Sequence, residues 1–114
     1  MRFHHLPRRL QAPGRQRLLR GASYALSLGL ANGDLFTHVL AFSPGFVVPG
    51  PRVGRPAAYV SHGRDDGVLP IERTTRRIVP WLRESGYPVI TREFNGAHTV
   101  PPAIAEDAVR WVSG

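Results

Sequence analysis

The chain has 114 residues, of which 42% are hydrophobic, and this length and composition suit one small domain. It contains no cysteine, which excludes disulfides, thiolate metal sites and a cysteine nucleophile and fits the reducing cytoplasm, where we expect the protein to reside. The formal charge of +7 is uneven: residues 1–20 hold six arginines and no acidic residue, whereas residues 21–114, with nine arginines and eight acidic residues, are nearly neutral.

The charge and the apolar content indicate whether the chain binds nucleic acid or crosses a membrane. A basic tail attached to a nearly neutral domain is more often a solvated arm than a contact surface, so we do not expect nucleic acid as a partner. No apolar stretch approaches the ~20 residues needed to cross a bilayer, and we therefore expect no membrane span.

The predicted elements begin after an irregular Arg-rich arm over residues 1–20, which shows neither helical nor strand periodicity. The folded domain is predicted over residues 21–114. Helices are predicted at residues 22–31, 71–85 and 101–112, and strands at residues 36–42, 57–61 and 87–94. The Pro- and Gly-rich stretch at residues 45–56 is predicted to be a loop, and Pro80 is expected to kink the second helix or to mark a turn.

The order of these elements predicts the architecture. Helix, strand, strand, helix, strand, helix is the order of an α/β fold, here with about three parallel strands and helical crossovers. The apolar run at residues 36–42 is typical of a strand buried on both faces. The alternation at residues 87–94 suits a half-exposed edge strand.

Two polar groups follow the second and third predicted strands. Asp66 lies in the run His62-Gly63-Arg64-Asp65-Asp66-Gly67-Val68-Leu69-Pro70, and His98 lies in the run Phe94-Asn95-Gly96-Ala97-His98-Thr99-Val100-Pro101. Because the carboxyl ends of parallel strands meet at one edge of a sheet, we expect the two side chains to lie side by side. A carboxylate that orients an imidazole is the acid and base pair of acyl transfer.

Each of these residues also has a structural interpretation. Asp66 could cap the helix that follows it, and its neighbour Asp65 is the residue most easily confused with it. His98 could be a loop histidine bonded to backbone near the start of the last helix. His62 is a second candidate base, but its position directly before Gly63 at a strand end favours a role in holding the acid loop by hydrogen bonds.

No metal site and no cofactor are predicted. His4, His5 and His38 lack any partner pattern, and no spacing of His, Asp and Glu resembles a zinc site. We therefore expect the chemistry to rest on Ser, His and Asp side chains.

Two further segments carry a family resemblance. Gly21-Ala22-Ser23-Tyr24-Ala25-Leu26-Ser27 resembles the start of the helix after a nucleophile elbow, and Ala41-Phe42-Ser43-Pro44-Gly45 resembles the end of the next strand. With the two loops described above, residues 21–111 resemble the C-terminal part of an α/β-hydrolase of the serine esterase kind, close to the phospholipase and carboxylesterase branch. The resemblance implies a partial α/β-hydrolase for small-molecule carboxylic or phospholipid-type esters. Since the family triad runs serine, acid, histidine along the chain, it implies Asp66 as catalytic acid and His98 as catalytic base.

The nucleophile is the position at which the chain departs from that family. The elbow holds a serine between two glycines on a sharp strand-to-helix turn. If Gly21 is the last of these glycines, Leu19 falls at the serine position, with Arg20 after it and Arg17 where the first glycine belongs. Ser23 then falls about one helical turn past the elbow, where we expect a packing role. The loop that usually supplies the second oxyanion donor has no counterpart in the sequence.

The departure from the elbow pattern implies weak or absent hydrolysis by this chain alone. We expect residues 1–20 to be a foreign start on a hydrolase C-terminal half, with a natural truncation or one subunit of a split enzyme as alternatives. The strand at residues 38–42 would then have an open apolar edge suited to self-association. A non-catalytic binding or assembly module that uses this edge and the basic arm is the alternative function, and salt-sensitive DNA binding by the arm is a third.

Overall fold

The computed structural model describes residues 17–47 and 52–113. Along these residues the elements are, in chain order, β1 (Leu18–Gly21), α1 (Ser23–Ala31), β2 (His38–Phe42), β3 (Ala57–Gly63), a 3-10 turn (Ile71–Arg73), α2 (Thr75–Glu84), β4 (Val89–Phe94) and α3 (Pro102–Ser113). Most of the predicted basic arm and residues 48–51 of the predicted loop lie outside the described residues. No helix in the described part of the chain is long and apolar enough to cross a membrane.

The strands form one parallel sheet in the order β1-β2-β3-β4, so that strands adjacent in space are consecutive in sequence. Helix α1 connects β1 to β2 and α2 connects β3 to β4, which confirms the predicted parallel sheet with helical crossovers. In β2, Val39, Leu40 and Ala41 are buried, as expected of a central strand. Strand β4 is an edge strand of half-buried and exposed residues, as its alternation predicts.

Strand β1 is the difference between the predicted and the observed sheet. The sequence predicts three strands and an irregular segment up to residue 20, but Leu18–Gly21 is a fourth strand that pairs in parallel with β2. The edge of β2 is therefore covered, and within the described residues the open edge on this side belongs to β1. Four residues that include an arginine carry no strand period of their own, and pairing with an existing strand is what makes them extended.

Helices pack on both faces of the sheet. On one face, α1 and α2 contribute Leu26 and Leu82 to a buried cluster that also contains Val60 of β3. On the other face, Ala108 of α3 packs with Tyr59 of β3. Because neighbouring residues of a strand point to opposite faces, β3 supplies side chains to both layers. This packing leaves the carboxyl ends of the strands at one edge of the sheet, where their loops meet.

The segment before β4 is divided at a different point from the predicted one. The sequence predicts one helix over residues 71–85 with a kink or turn at Pro80, but the division falls at Thr74, between the 3-10 turn and α2, and Pro80 lies inside α2. The Thr74 hydroxyl donates to the carbonyl of Pro70 at 2.9 Å. This division makes Thr75 the first residue of α2, facing the end of β3.

Candidate active site

The side chains of Asp66 and His98 meet at the carboxyl edge of the sheet. Asp66 follows β3 and His98 follows β4, and Nδ1 of His98 lies 2.7 Å from Oδ2 of Asp66. The expected juxtaposition of the two side chains is therefore present. Asp65, by contrast, is exposed, and its amide donates to the carbonyl of Gly96 at 2.9 Å.

Backbone hydrogen bonds continue past the ends of β3 and β4 and join the two loops. The amide of Arg64 donates to the carbonyl of Phe94 at 2.8 Å, and the Asp65 amide donates to Gly96. The guanidinium of Arg64 also donates to Oδ1 of Asn95 at 2.8 Å. The loop after β3 and the loop after β4 therefore form one hydrogen-bonded unit, which fixes the distance between the Asp66 and His98 side chains.

The Asp66 carboxylate is buried, with no exposed side-chain surface, and accepts hydrogen bonds at both oxygens. Oδ1 accepts from the amides of Val68 and Leu69 at 2.8 and 2.7 Å, while Oδ2 faces His98. Burial acts to raise the pKa of Asp66, but the hydrogen bonds from Leu69, His98 and Val68 together outweigh burial and hold the pKa below its ordinary value. The carboxylate is therefore charged at neutral pH.

His98 has one nitrogen fixed by Asp66 and a ring that water can reach. Its side chain is 44% exposed. Since a carboxylate can only accept, Nδ1 carries the proton of the neutral ring, and Nε2 keeps its lone pair. An imidazole held in this way can take a proton from a hydroxyl at Nε2, and the charged Asp66 stabilises the imidazolium that forms.

His62 also contacts the acid loop and is fully buried. Its Nε2 lies 2.7 Å from the carbonyl oxygen of Leu69 and 3.2 Å from Oδ2 of Asp66. Its Nδ1 lies 2.6 Å from Oγ1 of Thr75. These contacts support the interpretation of His62 as a residue that holds the acid loop, and its burial leaves it no surface for a substrate.

Two supporting residues, Gly63 and Thr75, are not identified from the sequence. A glycine directly after a predicted strand is a signal that could have found Gly63, where an added β carbon would collide with the carbonyl oxygens of Ala97 and Gly96. No sequence signal identifies Thr75, because the residue before it is also a threonine. Only the point at which the helix begins decides whether the Thr74 or the Thr75 hydroxyl reaches His62.

The turn from β1 to α1 has no serine at the aligned nucleophile position. Leu19 and Arg20 lie within β1, paired in register with Val39 and Leu40. The residue aligned with the family serine is therefore inside a strand and not at a turn. Ala22 is the single residue between β1 and α1, and it is exposed.

Ser23 is buried at the start of α1, and its hydroxyl is engaged with backbone. Oγ accepts from the amides of Gly45 and Phe46 at 2.7 and 3.3 Å. A β carbon on Gly45 would lie 3.0 Å from Cδ2 of Leu69, so the loop after β2 sits between α1 and the acid loop. The contacts of Ser23 are those of the packing role that its position predicts.

The described residues form no metal site, and one surface pocket lies away from Asp66 and His98. No group of three or more His, Cys, Asp or Glu side chains among them could hold a metal ion. A surface pocket of about 360 Å³ is lined by Val47, Arg52, Arg77, Ile78 and Trp81, and by neither Asp66 nor His98.

Solved structures share this arrangement of strands and helices. Esterase PE8 matches with a TM-score of 0.73 and 21% identity, over 84% of this chain and 48% of that chain. The Bacillus cereus carboxylesterase matches with a TM-score of 0.69 and 14% identity, over 84% of this chain and 48% of that chain. MGS-M1, an α/β hydrolase enzyme from a deep-sea metagenome library, matches with a TM-score of 0.63 and 17% identity, over 84% of this chain and 52% of that chain.

These matches define the fold of the chain. It has an α/β-hydrolase fold, and it spans about half the length of the structures it matches. No family model matches the sequence, and no curated protein matches it.

Proposed function

We propose that the chain carries the acid and base of a serine-type carboxylic ester hydrolase, with Asp66 as triad acid and His98 as general base, and that it lacks the nucleophile serine. The observation that carries this proposal is the 2.7 Å contact between the buried Asp66 carboxylate and Nδ1 of the exposed His98. Two of the matched structures are named as an esterase and a carboxylesterase, which supports esters as the substrate class.

The proposed chemistry divides between the two residues. Nε2 of His98 removes the proton of an attacking hydroxyl and later returns a proton to the leaving alcohol oxygen, while the acyl carbon passes through a tetrahedral intermediate. Asp66 keeps the ring in the Nδ1–H tautomer and stabilises the imidazolium. A small-molecule carboxylic ester with a good leaving group is the simplest substrate for such a pair.

The residues at the turn from β1 to α1 support the proposal that the nucleophile serine is missing. Leu19 has no hydroxyl, and the Ser23 hydroxyl already accepts two backbone hydrogen bonds. Without an activated serine, the chain alone should show weak or no turnover, since the acid and base pair has no proton to transfer.

Hydrolysis of p-nitrophenyl acetate and butyrate by the purified chain tests this proposal. We expect turnover near the buffer rate and no covalent labelling by a fluorophosphonate, which reacts with activated serines. Turnover that is lost in His98→Ala and retained in Ser23→Ala would show that another hydroxyl acts as nucleophile. Turnover lost in both variants would make Ser23 the nucleophile and overturn the missing-serine part of the proposal.

A second candidate function is a binding or assembly module. It is favoured by the edge of β1 that no other described strand covers and by the exposed apolar face of α1 beside it, where Tyr24 and Leu28 are 70% and 53% exposed. Sedimentation across a range of concentrations tests it, with Leu28→Lys expected to weaken association. A strict monomer at all concentrations, with no partner recovered, would count against an assembly role.

A further inference from the structure

We propose that His62 and Thr75 act as positioning residues that hold the Asp66 carboxylate in place through a fixed tautomer of the His62 ring. Their contacts join three elements, because His62 belongs to β3, Thr75 begins α2, and Leu69 lies in the loop between them. The catalytic meaning of this inference rests on the proposed function, but the structural claim does not.

The tautomer follows from the partners of each ring nitrogen. Nε2 of His62 faces two acceptors, the Leu69 carbonyl at 2.7 Å and Oδ2 of Asp66 at 3.2 Å. Nε2 must therefore carry a proton, since a lone pair there would face two further lone pairs in a buried site. In the neutral ring, Nδ1 is then the acceptor, and the Thr75 hydroxyl, 2.6 Å away, is its donor.

The consequence for the acid loop is that its carboxylate has no freedom to rotate. The amides of Val68 and Leu69 fix Oδ1, and Nδ1 of His98 lies 2.7 Å from Oδ2. Nε2 of His62, bonded to the Leu69 carbonyl, lies 3.2 Å from the same Oδ2 and closes off its other side. His62 and Asp66 have no exposed side-chain surface, so water cannot replace a lost donor without opening the loop. Removal of the Thr75 hydroxyl should therefore loosen a carboxylate that Thr75 does not touch.

The tautomer can be read in the unmodified chain by long-range proton–nitrogen NMR correlation of its histidines. We expect His62 to carry its proton on Nε2, and His98 to show a far-downfield Nδ1 proton. A His62 ring protonated on Nδ1 alone would overturn the proposal without any variant being made.

Amide hydrogen exchange tests the positioning role. In Thr75→Val, exchange at Val68 and Leu69 should accelerate on the order of tenfold relative to Val39 in β2, and the His98 Nδ1 proton should broaden. Thr75→Ser, which keeps the hydroxyl, is the matched control and should leave both signals as they are. In His62→Gln, whose amide can still donate, protection should exceed that in His62→Leu.

Unchanged exchange at Val68 and Leu69 in both Thr75→Val and His62→Leu would refute the positioning role. Neither readout involves ester turnover. Ester turnover that is retained in His98→Ala, combined with the expected NMR results, would therefore refute the proposed function alone.

Discussion

Gly63 lies directly against the carbonyl of Ala97, so close that a β carbon at position 63 would collide with that oxygen. This approach brings the end of β3 beneath the loop that carries His98. A side chain of any size at position 63 would push the histidine loop away from the acid loop. The shape of the candidate site therefore requires a glycine, which has no β carbon, at this position.

We expect Gly63→Ala to destabilise the fold by about 1–3 kcal/mol, because the atoms it meets are backbone and cannot rotate away. Gly67→Ala is the matched control, since an added β carbon there would have no neighbour within 4 Å. Urea unfolding measures both variants. Equal stability of the two would mean that the loops can separate at little cost.

We expect Asp66→Asn to cost about 1–3 kcal/mol, because its NH2 group must face either the amides of Val68 and Leu69 or the N–H of His62 in a buried site. His98→Ala should cost no more than about 1 kcal/mol, since the His98 side chain is 44% exposed. Urea unfolding at neutral pH gives both values. The reverse order would indicate that His98 is chiefly a structural residue and would weaken its assignment as the base.

Arg76 and Glu93 should contribute stability that depends on pH. Two hydrogen bonds of 2.9 and 2.8 Å from the guanidinium hold the pKa of Glu93 below its ordinary value of 4.5. A carboxyl whose pKa is lower in the folded state stabilises the fold above its unfolded pKa and loses that effect as pH falls through its folded pKa. The contribution is modest, because the Arg76 side chain is 42% exposed and water screens the pair.

A double-mutant cycle of Arg76→Gln and Glu93→Gln measures this coupling. We expect a small favourable coupling at neutral pH that disappears at a pH far enough below 4.5 to protonate Glu93. Arg83→Gln, on the same helix, should not couple to Glu93. A coupling that persisted unchanged in acid would show that the contact is not electrostatic.

Introducing a serine tests where the strand-to-helix turn lies. A nucleophile must be exposed on that turn, and Ala22 is the exposed residue between β1 and α1, whereas Leu19 lies within β1. We expect fluorophosphonate labelling to rise in Ala22→Ser more than in Leu19→Ser, and to fall again when His98→Ala is added. Labelling of Leu19→Ser but not of Ala22→Ser would mean that the turn lies at Leu19, as the family alignment has it, and not at Ala22, as the structure has it.

The sequence predicts the α/β architecture well because the central strands are apolar and end at glycine-marked loops. It misses β1 because four residues beside an arginine-rich stretch become a strand only through pairing with β2. Contacts with distant residues also decide where α2 begins, at Thr75, and so no local pattern reveals that the Thr75 hydroxyl reaches His62.

The same limit applies to the candidate site. Asp66 and His98 can be placed together from strand order alone, since both follow strands of one parallel sheet. His62 is predicted to hold the acid loop from its place at a strand end, but its partners there depend on the path of the loop from Gly67 to Pro70, which returns the Leu69 carbonyl to His62. Such a return is a property of three-dimensional packing, and the sequence pattern contains no period for it.

Strands that adjoin in space are also consecutive along the chain, so Asp66, His98 and the residues that contact them all belong to the segment from β3 to the loop after β4. Asp66 and His98 are separated by 32 residues along the chain. Formation of the contact between Asp66 and His98 during folding therefore need not wait for β1. A recombination event that joined residues 57–98 to a different upstream segment would still carry both side chains of the pair.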